Sequence, residues 1–293
     1  MAYKKLDKQQ LHVGMETGMF DFLSTIEVTA APPCCGQDDA VKAIKTALQV
    51  EGSGYHVLAI GKKGTGKMEC VYSIATELAA TRDIEPLPDR VLLPTRNNPG
   101  VYEEIKFANG RGETFVSLSE QAVFAAFNHD NEVFTSVLHD LRGGFEARPV
   151  LDDYLQWQED YCLMLQVADN TEYDLRQIHS VLPVMLHAGS KQGMPVIREA
   201  FAGSTSLLGA YSSDPDTGRK QVFAGSLLQA SGGVLVIDAR PFIENPADWR
   251  LFREILNNGL IPLNAISATQ AAQPYSSLPL NGNISIECQV ILI

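Results

Sequence analysis

Val57-Leu58-Ala59-Ile60-Gly61-Lys62-Lys63-Gly64-Thr65-Gly66-Lys67 is the stretch on which the reading of this chain turns. Four apolar residues predict a short buried strand, and the helical pattern from Met68 to Ala80 predicts a helix after the glycine-rich loop. The glycines let the backbone fold tightly enough for its N–H groups to converge on an anion. The N-terminus of the following helix adds partial positive charge, and Lys67 supplies a full one. The candidate phosphate-binding residues are therefore Gly61, Lys62, Lys63, Gly64, Thr65, Gly66, Lys67 and Met68. In a complete phosphate loop the residue after the lysine is Ser or Thr, whose hydroxyl binds Mg²⁺. Met68 stands there instead, and a thioether is a poor ligand for a hard cation. The expectation is a phosphate cradle with a weakened metal contact.

Such a cradle needs an acid to complete it, at the end of a second hydrophobic strand. Gly232-Gly233-Val234-Leu235-Val236-Ile237-Asp238 fits, because an unbroken aliphatic run bounded by Gly and Asp suits a central parallel strand. Asp238 is the candidate metal ligand and, with Lys67, the candidate catalytic pair. The next residue is Glu in many ring-forming ATPases, where it polarises the attacking water; here it is Ala239, which cannot accept a proton. Glu244 lies further on, and nothing in the sequence brings it to the water.

Between these two units the pattern changes. Gly36-Gln37-Asp38-Asp39 leads into a helix to about Val50, with Asp38 as its expected N-cap and Gly52-Ser53-Gly54 as its stop. Asp89 to Leu93 reads as a second buried strand and Ile105 to Ala108 as a third, followed by a tight turn at Asn109-Gly110-Arg111-Gly112. Leu118 to about His187 is mostly helical: one helix through Ala122 and Phe127, one through Val133 and Leu141, one over Leu151–Ala168 and one over Tyr173–Leu186. Residues 203–220 read as a surface loop or hairpin, Pro246 to Asn257 as a helix stopped by Gly259, and Cys288 to Ile293 as a last strand. The division expected is 1–35 as an N-terminal segment, 36–117 as the first half of an α/β core, 118–187 as a helical insertion, and 188–293 as the second half.

Composition narrows the function classes. The chain has 293 residues, 45% hydrophobic, with a net charge of −12, which argues against coating nucleic acid through its phosphates. No apolar run is long enough to span a bilayer, and the start Met1-Ala2-Tyr3-Lys4-Lys5 lacks the apolar core of a secretory signal, so a cytoplasmic location is expected. The five cysteines include no C-x2-C pair, and Cys34-Cys35 reads as a tight turn, so neither a zinc site nor a redox motif is expected. The six histidines show no metal-binding spacing.

Taken in order, these motifs resemble the AAA+ module of the Lon-like proteases of the B and C branches. Gly36-Gln37-Asp38-Asp39-Ala40-Val41, then Gly54-Tyr55-His56-Val57 and Gly64-Thr65-Gly66-Lys67, look like the opening of that module. Asn109 to Gly112 looks like the hairpin before its insertion. Pro195-Val196-Ile197, Leu207-Leu208-Gly209 and Phe223-Ala224-Gly225-Ser226-Leu227-Leu228-Gln229-Ala230-Ser231 through Asp238-Ala239 look like its segment up to the Walker B strand.

The resemblance implies a Rossmann-like P-loop core with a parallel sheet and a helical insertion, ATP and Mg²⁺ as cofactors, and homo-oligomeric rings. Polypeptide substrates or a separate protease would be the partners. It also implies a sensor residue, a helical lid and a Ser–Lys peptidase domain after the strand that ends at Ile293. None of these is seen in the sequence, so no peptidase activity is expected of it. Some members of the C branch are thought to have degenerate nucleotide sites. The expected function is an ATP-binding AAA+ module with weak or absent hydrolysis. The alternative is a pseudo-ATPase scaffold for oligomerisation or partner recruitment. A third reading is a working ATPase of the related magnesium-chelatase or MoxR type, which normally keeps the Glu that Ala239 replaces. Arg250 and Arg253 read as ordinary helix-surface residues, and Trp157 and Tyr161 as core of the insertion. Tyr211 reads either as a pore residue that grips substrate or as an aromatic packed locally.

Overall fold

The computed structural model describes residues 24–27, 34, 36–50, 54–98, 100–167, 174–190, 193–200, 203–214, 216–268 and 281–293. Cys35, the stop at Gly52-Ser53, Ala168 and Tyr173 lie outside these residues.

The centre is a parallel sheet of four strands: β1 (Val57–Leu58), β5 (Val196–Glu199), β8 (Val234–Ile237) and β11 (Gln289–Leu292). Their spatial order is β1-β11-β8-β5, so the last strand inserts between the first strand and the aliphatic one. Side chains alternate across the sheet and both faces are covered, as a parallel sheet requires. Val234, Val236 and Ile291 pack against Ile44 and Leu48 of helix α1 (Asp38–Gln49) and Val71, Ile74 and Ala75 of helix α2 (Lys67–Thr81). Leu235, Ile237 and Val290 face the other way, onto Leu207, Leu208, Leu227, Leu228 and the helix Pro246–Asn258 through Phe252 and Ile255. The architecture is α/β, three layers deep.

A second apolar body lies between residues 89 and 187. Strands β2 (Asp89–Pro94), β3 (Tyr102–Phe107) and β4 (Val184–His187) form an antiparallel sheet in the order β3-β2-β4. The helices Arg111–Phe127, Asn131–Gly144 and Pro149–Val167 pack on it through Phe115, Leu141, Leu151 and Leu165. Trp157 and Tyr161 pack against this cluster, as expected of insertion core.

Four local readings change. The run Val57–Ile60 was expected to be a buried strand, but only Val57 and Leu58 are in strand geometry, and Leu58 and Ile60 are 61% and 86% exposed. Among the described residues β1 pairs with β11 alone, so it is an edge strand whose outer side chains face a cavity. Asp38 is not the N-cap: Gln37 is, and Asp38 and Asp39 sit in the first turn, where carboxylates favour the positive helix end. The turn at Asn109–Gly112 is already the start of a helix, because Gly110 adopts φ 76° and the helix begins at Arg111. Helix does not continue to Leu186: it ends at Ser180, and Pro183, which cannot extend it, precedes strand β4.

Of residues 203–220, read as a surface loop or hairpin, Ser204–Leu208 is a short helix and the hairpin runs on to Ala224, with β6 (Gly209–Ser213) against β7 (Lys220–Ala224). Strand β9 (Leu260–Pro262) pairs antiparallel with β10 (Asn283–Ser285). Tyr211, however, is 4% exposed in the central core, so it packs inward and the pore-gripping alternative falls. Helix Pro246–Asn258 has its N-cap at Asn245 and ends at Gly259 with φ 65°, where only glycine is unstrained.

The two bodies are joined by buried polar groups. Asp89 accepts hydrogen bonds from the backbone N–H of Gly112 and of Gly189, each at 2.9 Å, which binds both ends of the helical segment to the start of β2. Gly189 is glycine for a steric reason: a Cβ there would lie 1.8 Å from the Leu87 carbonyl oxygen. Arg90, with 2% of its side chain exposed, is ion-paired to Glu104 and donates to Ser231 Oγ at 3.0 Å and Ser285 Oγ at 2.8 Å. Glu104 in turn accepts from the Ser285 N–H at 2.8 Å. A disulfide, unforeseen in the sequence, joins Cys34 to Cys70 across 36 residues, with Cα atoms 5.2 Å apart.

Two stability predictions follow from these links. Arg90→Ala leaves Glu104 buried without its counter-ion and should cost about 3–5 kcal/mol in urea unfolding. A loss below about 1 kcal/mol would show that the network contributes little. Closing a loop of this length should stabilise the chain by roughly 3–4 kcal/mol. A reductant should therefore lower the melting temperature by several degrees in the wild type and leave Cys70→Ser unaffected.

Candidate functional site

The loop and the acid meet because of the order of the strands. Ala59 N–H, leaving β1, donates to Leu292 O at 2.8 Å, and Ala239 N–H, leaving β8, donates to Ile293 O at 2.9 Å. Both segments thus emerge at the carboxyl end of the sheet, on either side of β11. Two strand spacings, about 10 Å, separate their backbones. This is where ligands bind in open α/β sheets, beyond the carboxyl ends of the strands.

The loop is compact. Gly64 and Gly66 adopt φ 79° and 70°, and Gly66 is the N-cap of the helix that Lys67 begins. The Lys67 ammonium donates to the carbonyl oxygens of Gly61 at 2.9 Å and Lys62 at 2.6 Å, and Thr65 Oγ1 also donates to Lys62 O, at 2.9 Å. Lys62 and Lys63 are exposed. Met68 points its chemistry elsewhere, packing against the apolar cluster under the sheet. Beside the loop opens a cavity of about 770 Å³ with apolar walls, including Ala40, Ile44, Val57 and Ile60, and with Lys67 at its polar end. Cys34 and Cys70 line it too.

Asp238 is not free. Arg240, two residues on, donates through Nε to Oδ1 at 3.0 Å and Oδ2 at 3.2 Å, and through its own backbone N–H to Oδ1 at 3.1 Å. Its Nη2 completes a fork on Oδ2. The Arg240 side-chain bond, foremost, holds the Asp238 carboxyl below the usual carboxylate range; burial opposes this, and the charge of Lys67 adds a little in the same direction. Ala239 is buried, and Glu244 is exposed at the end of the short helix Arg240–Glu244. Arg250 and Arg253 are exposed on their helix, as expected.

The structure therefore brings Lys67 and Asp238 to one end of the sheet and places Met68 in packing. The sequence reading missed Arg240, the cavity, and the ion pair of Arg198 with Glu69 of the loop helix at 2.9 Å. A signal existed for the first: an arginine two residues after a strand-end aspartate is within reach of its carboxylate across a tight turn.

The donor set can be tested against Mg²⁺, which asks for oxygen ligands in near-octahedral array. Met68 offers none, and both oxygens of Asp238 are engaged by a guanidinium. Among the described residues no group of three His, Cys, Asp or Glu side chains is placed to hold a metal ion. The residues present do not fit a strong Mg²⁺ site. A phosphate fits better, since the cradle offers Lys67, the helix start and a glycine backbone.

Residues 192–293 match the family described as LonB-like, AAA domain, a little over a third of the chain. The match covers β5, β8 with Asp238, and β11, while the loop lies outside it. Comparison with curated proteins gives no match. β11 of the matched segment hydrogen-bonds directly to β1 and so carries the loop to the same sheet end as Asp238: the α/β core is one parallel sheet, and its residues 192–293 are similar to a LonB-like AAA domain.

Proposed function

We propose that this chain is a nucleotide-binding module that holds ATP on Gly61–Lys67 and hydrolyses it slowly or not at all. The observation that carries the reading is the juxtaposition of the glycine loop, Lys67 and Asp238 at one sheet end, beside an apolar cavity of about 770 Å³. That volume lies within the range of small-molecule sites, roughly 300–1,000 Å³, and its apolar walls suit a nucleoside while the loop suits its phosphates. In this reading Lys67 exchanges its hydrogen bonds to Gly61 and Lys62 for phosphate oxygens, and the loop backbone donates around them.

Slow turnover is argued from what is missing. A water attacking phosphorus needs a group to take its proton, and Ala239 has none. Loss of a general base commonly costs about 10²–10⁴ in rate. Lys67 and Asp238 are the catalytic residues proposed if any turnover remains, and Gly61 to Met68 the nucleotide-binding ones. The boundaries at residues 36, 118 and 188, assembly into a homo-oligomeric ring, service to polypeptide clients or a separate protease, and a cytoplasmic location belong to the same proposal. Among the described residues no helix is long and apolar enough to cross a membrane. The second reading, a pseudo-ATPase scaffold, is favoured by Met68 and Ala239 together, and predicts assembly that does not respond to ATP.

Two measurements test this. A fluorescent ATP analogue should bind the wild type, and Lys67→Ala should weaken it by about 10–100-fold, the worth of one charge-assisted contact. Equal binding by both proteins would remove the loop from the site. Phosphate release should stay at least about 10²-fold below the 1–10³ s⁻¹ of ordinary enzymes. Robust release that Asp238→Asn abolishes would revive the working ATPase.

A further inference from the structure

We infer that Arg240 stands in for the metal cation at Asp238, so that this loop takes the polyphosphate chain of a nucleotide without Mg²⁺. The inference rests on the nucleotide reading above and says how the site manages its charge.

A phosphate loop and a nearby carboxylate are both drawn to cations, and the carboxylate repels the ligand that the loop attracts. A divalent metal normally bridges the two. Here the carboxylate already has a partner on its own strand end. Arg240 grips both Asp238 oxygens, Nε at 3.0 and 3.2 Å and Nη2 on Oδ2, with its backbone N–H at 3.1 Å as a further donor. A guanidinium fork matches a carboxylate plane, and its rigidity limits the entropy lost in pairing. The Asp238 side chain is 18% exposed and that of Arg240 62%, so the pair sits at the rim with the carboxylate inward and the cation outward. A Mg²⁺ ion arriving there must displace the guanidinium, dehydrate reluctantly, and then find no hydroxyl at Met68. A polyphosphate meets a neutralised acid and, in the loop, the Lys67 ammonium together with the exposed residues Lys62 and Lys63.

The test is a titration with a fluorescent ATP analogue, in EDTA and in Mg²⁺, on wild type, Arg240→Gln and the double variant Arg240→Gln with Asp238→Asn. The wild type should bind equally in both media, within about twofold. Arg240→Gln uncovers a bare carboxylate. Its affinity should fall by about 5–10-fold in EDTA and recover in Mg²⁺, the scale of one like-charge contact in a partly solvated site. The double variant removes that carboxylate charge and should restore binding in EDTA. Wild-type binding that drops tenfold or more in EDTA overturns the inference and leaves the nucleotide reading intact. So does an Arg240→Gln protein indistinguishable from wild type in both media. Absence of binding by the wild type in either medium overturns the nucleotide reading and this inference together.

Discussion

The hydrogen bonding of Gln289–Leu292 on both of its edges is the constraint on which the site depends. On one side the strand pairs Ile291 with Val57 and Leu292 with Leu58; on the other it pairs Gln289 to Leu292 with Val234 to Ile237. Among the described residues β1, which leads into the loop, does not pair with β8, which leads into Asp238. Their common height is set by this intermediary, whose own residues carry no chemistry. The backbone groups of a buried parallel strand have no solvent to turn to, so its register is held firmly. Residues remote in sequence, 61–67 and 238, are thereby brought to one end of the sheet.

Electrostatics gives the site its second constraint. The chain carries a net charge of −12, so an anionic ligand meets a repulsive molecule except where cations are gathered. Two unlike or like unit charges 4 Å apart interact by about 4 kcal/mol at the effective dielectric of a protein surface. That is comparable with everything one charge-assisted hydrogen bond can supply. At a partly solvated rim the figure falls toward the value in water, about 1 kcal/mol, so the pairing of Asp238 tunes an affinity that Lys67 dominates. Arg198, by contrast, is spoken for by Glu69 of the loop helix, whose carboxyl is held low first by its own backbone N–H and then by that arginine.

Much of this was legible in the sequence, and the reasons for the exceptions are physical. Val234–Ile237 could be read as a central strand because an unbroken aliphatic run bounded by Gly and Asp suits a strand covered on both faces, and its burial agrees. Val57–Ile60 shows the same run, yet it lies at an edge, because an aliphatic run records apolar surroundings on its faces and says nothing of how many strands flank it. The reading of Val184–Leu186 as helix failed for a related reason: a short apolar segment fits either period, and Pro183 was the sign that decides it. Asp89, Arg90 and Glu104 gave no local signal at all. Their partners, Gly112, Gly189, Ser231 and Ser285, are distant in the chain, and only the fold brings them together. The loop, Lys67 and Asp238 announced themselves by spacing, whereas Arg240 became meaningful once its fork was seen on both oxygens of Asp238.

The two departures from a hydrolytic site also have a structural side. A hydroxyl after Lys67 and a carboxylate after Ile237-Asp238 would both be polar groups near a tightly packed sheet, and each would need a ligand or water to satisfy it. Met68 instead adds its flexible side chain to the cluster formed by Ile44, Val71 and Val236, where a thioether fills gaps well. Ala239 is buried and makes its backbone bond to Ile293 without asking anything of its side chain. Replacing catalytic polar groups with apolar ones commonly stabilises a fold while removing its chemistry. The same pair of residues, which the proposed function makes the cause of slow turnover, packs into the sheet end that holds the loop. In the function proposed above, a module built this way keeps the geometry for binding a nucleotide while relinquishing most of what is needed to break it.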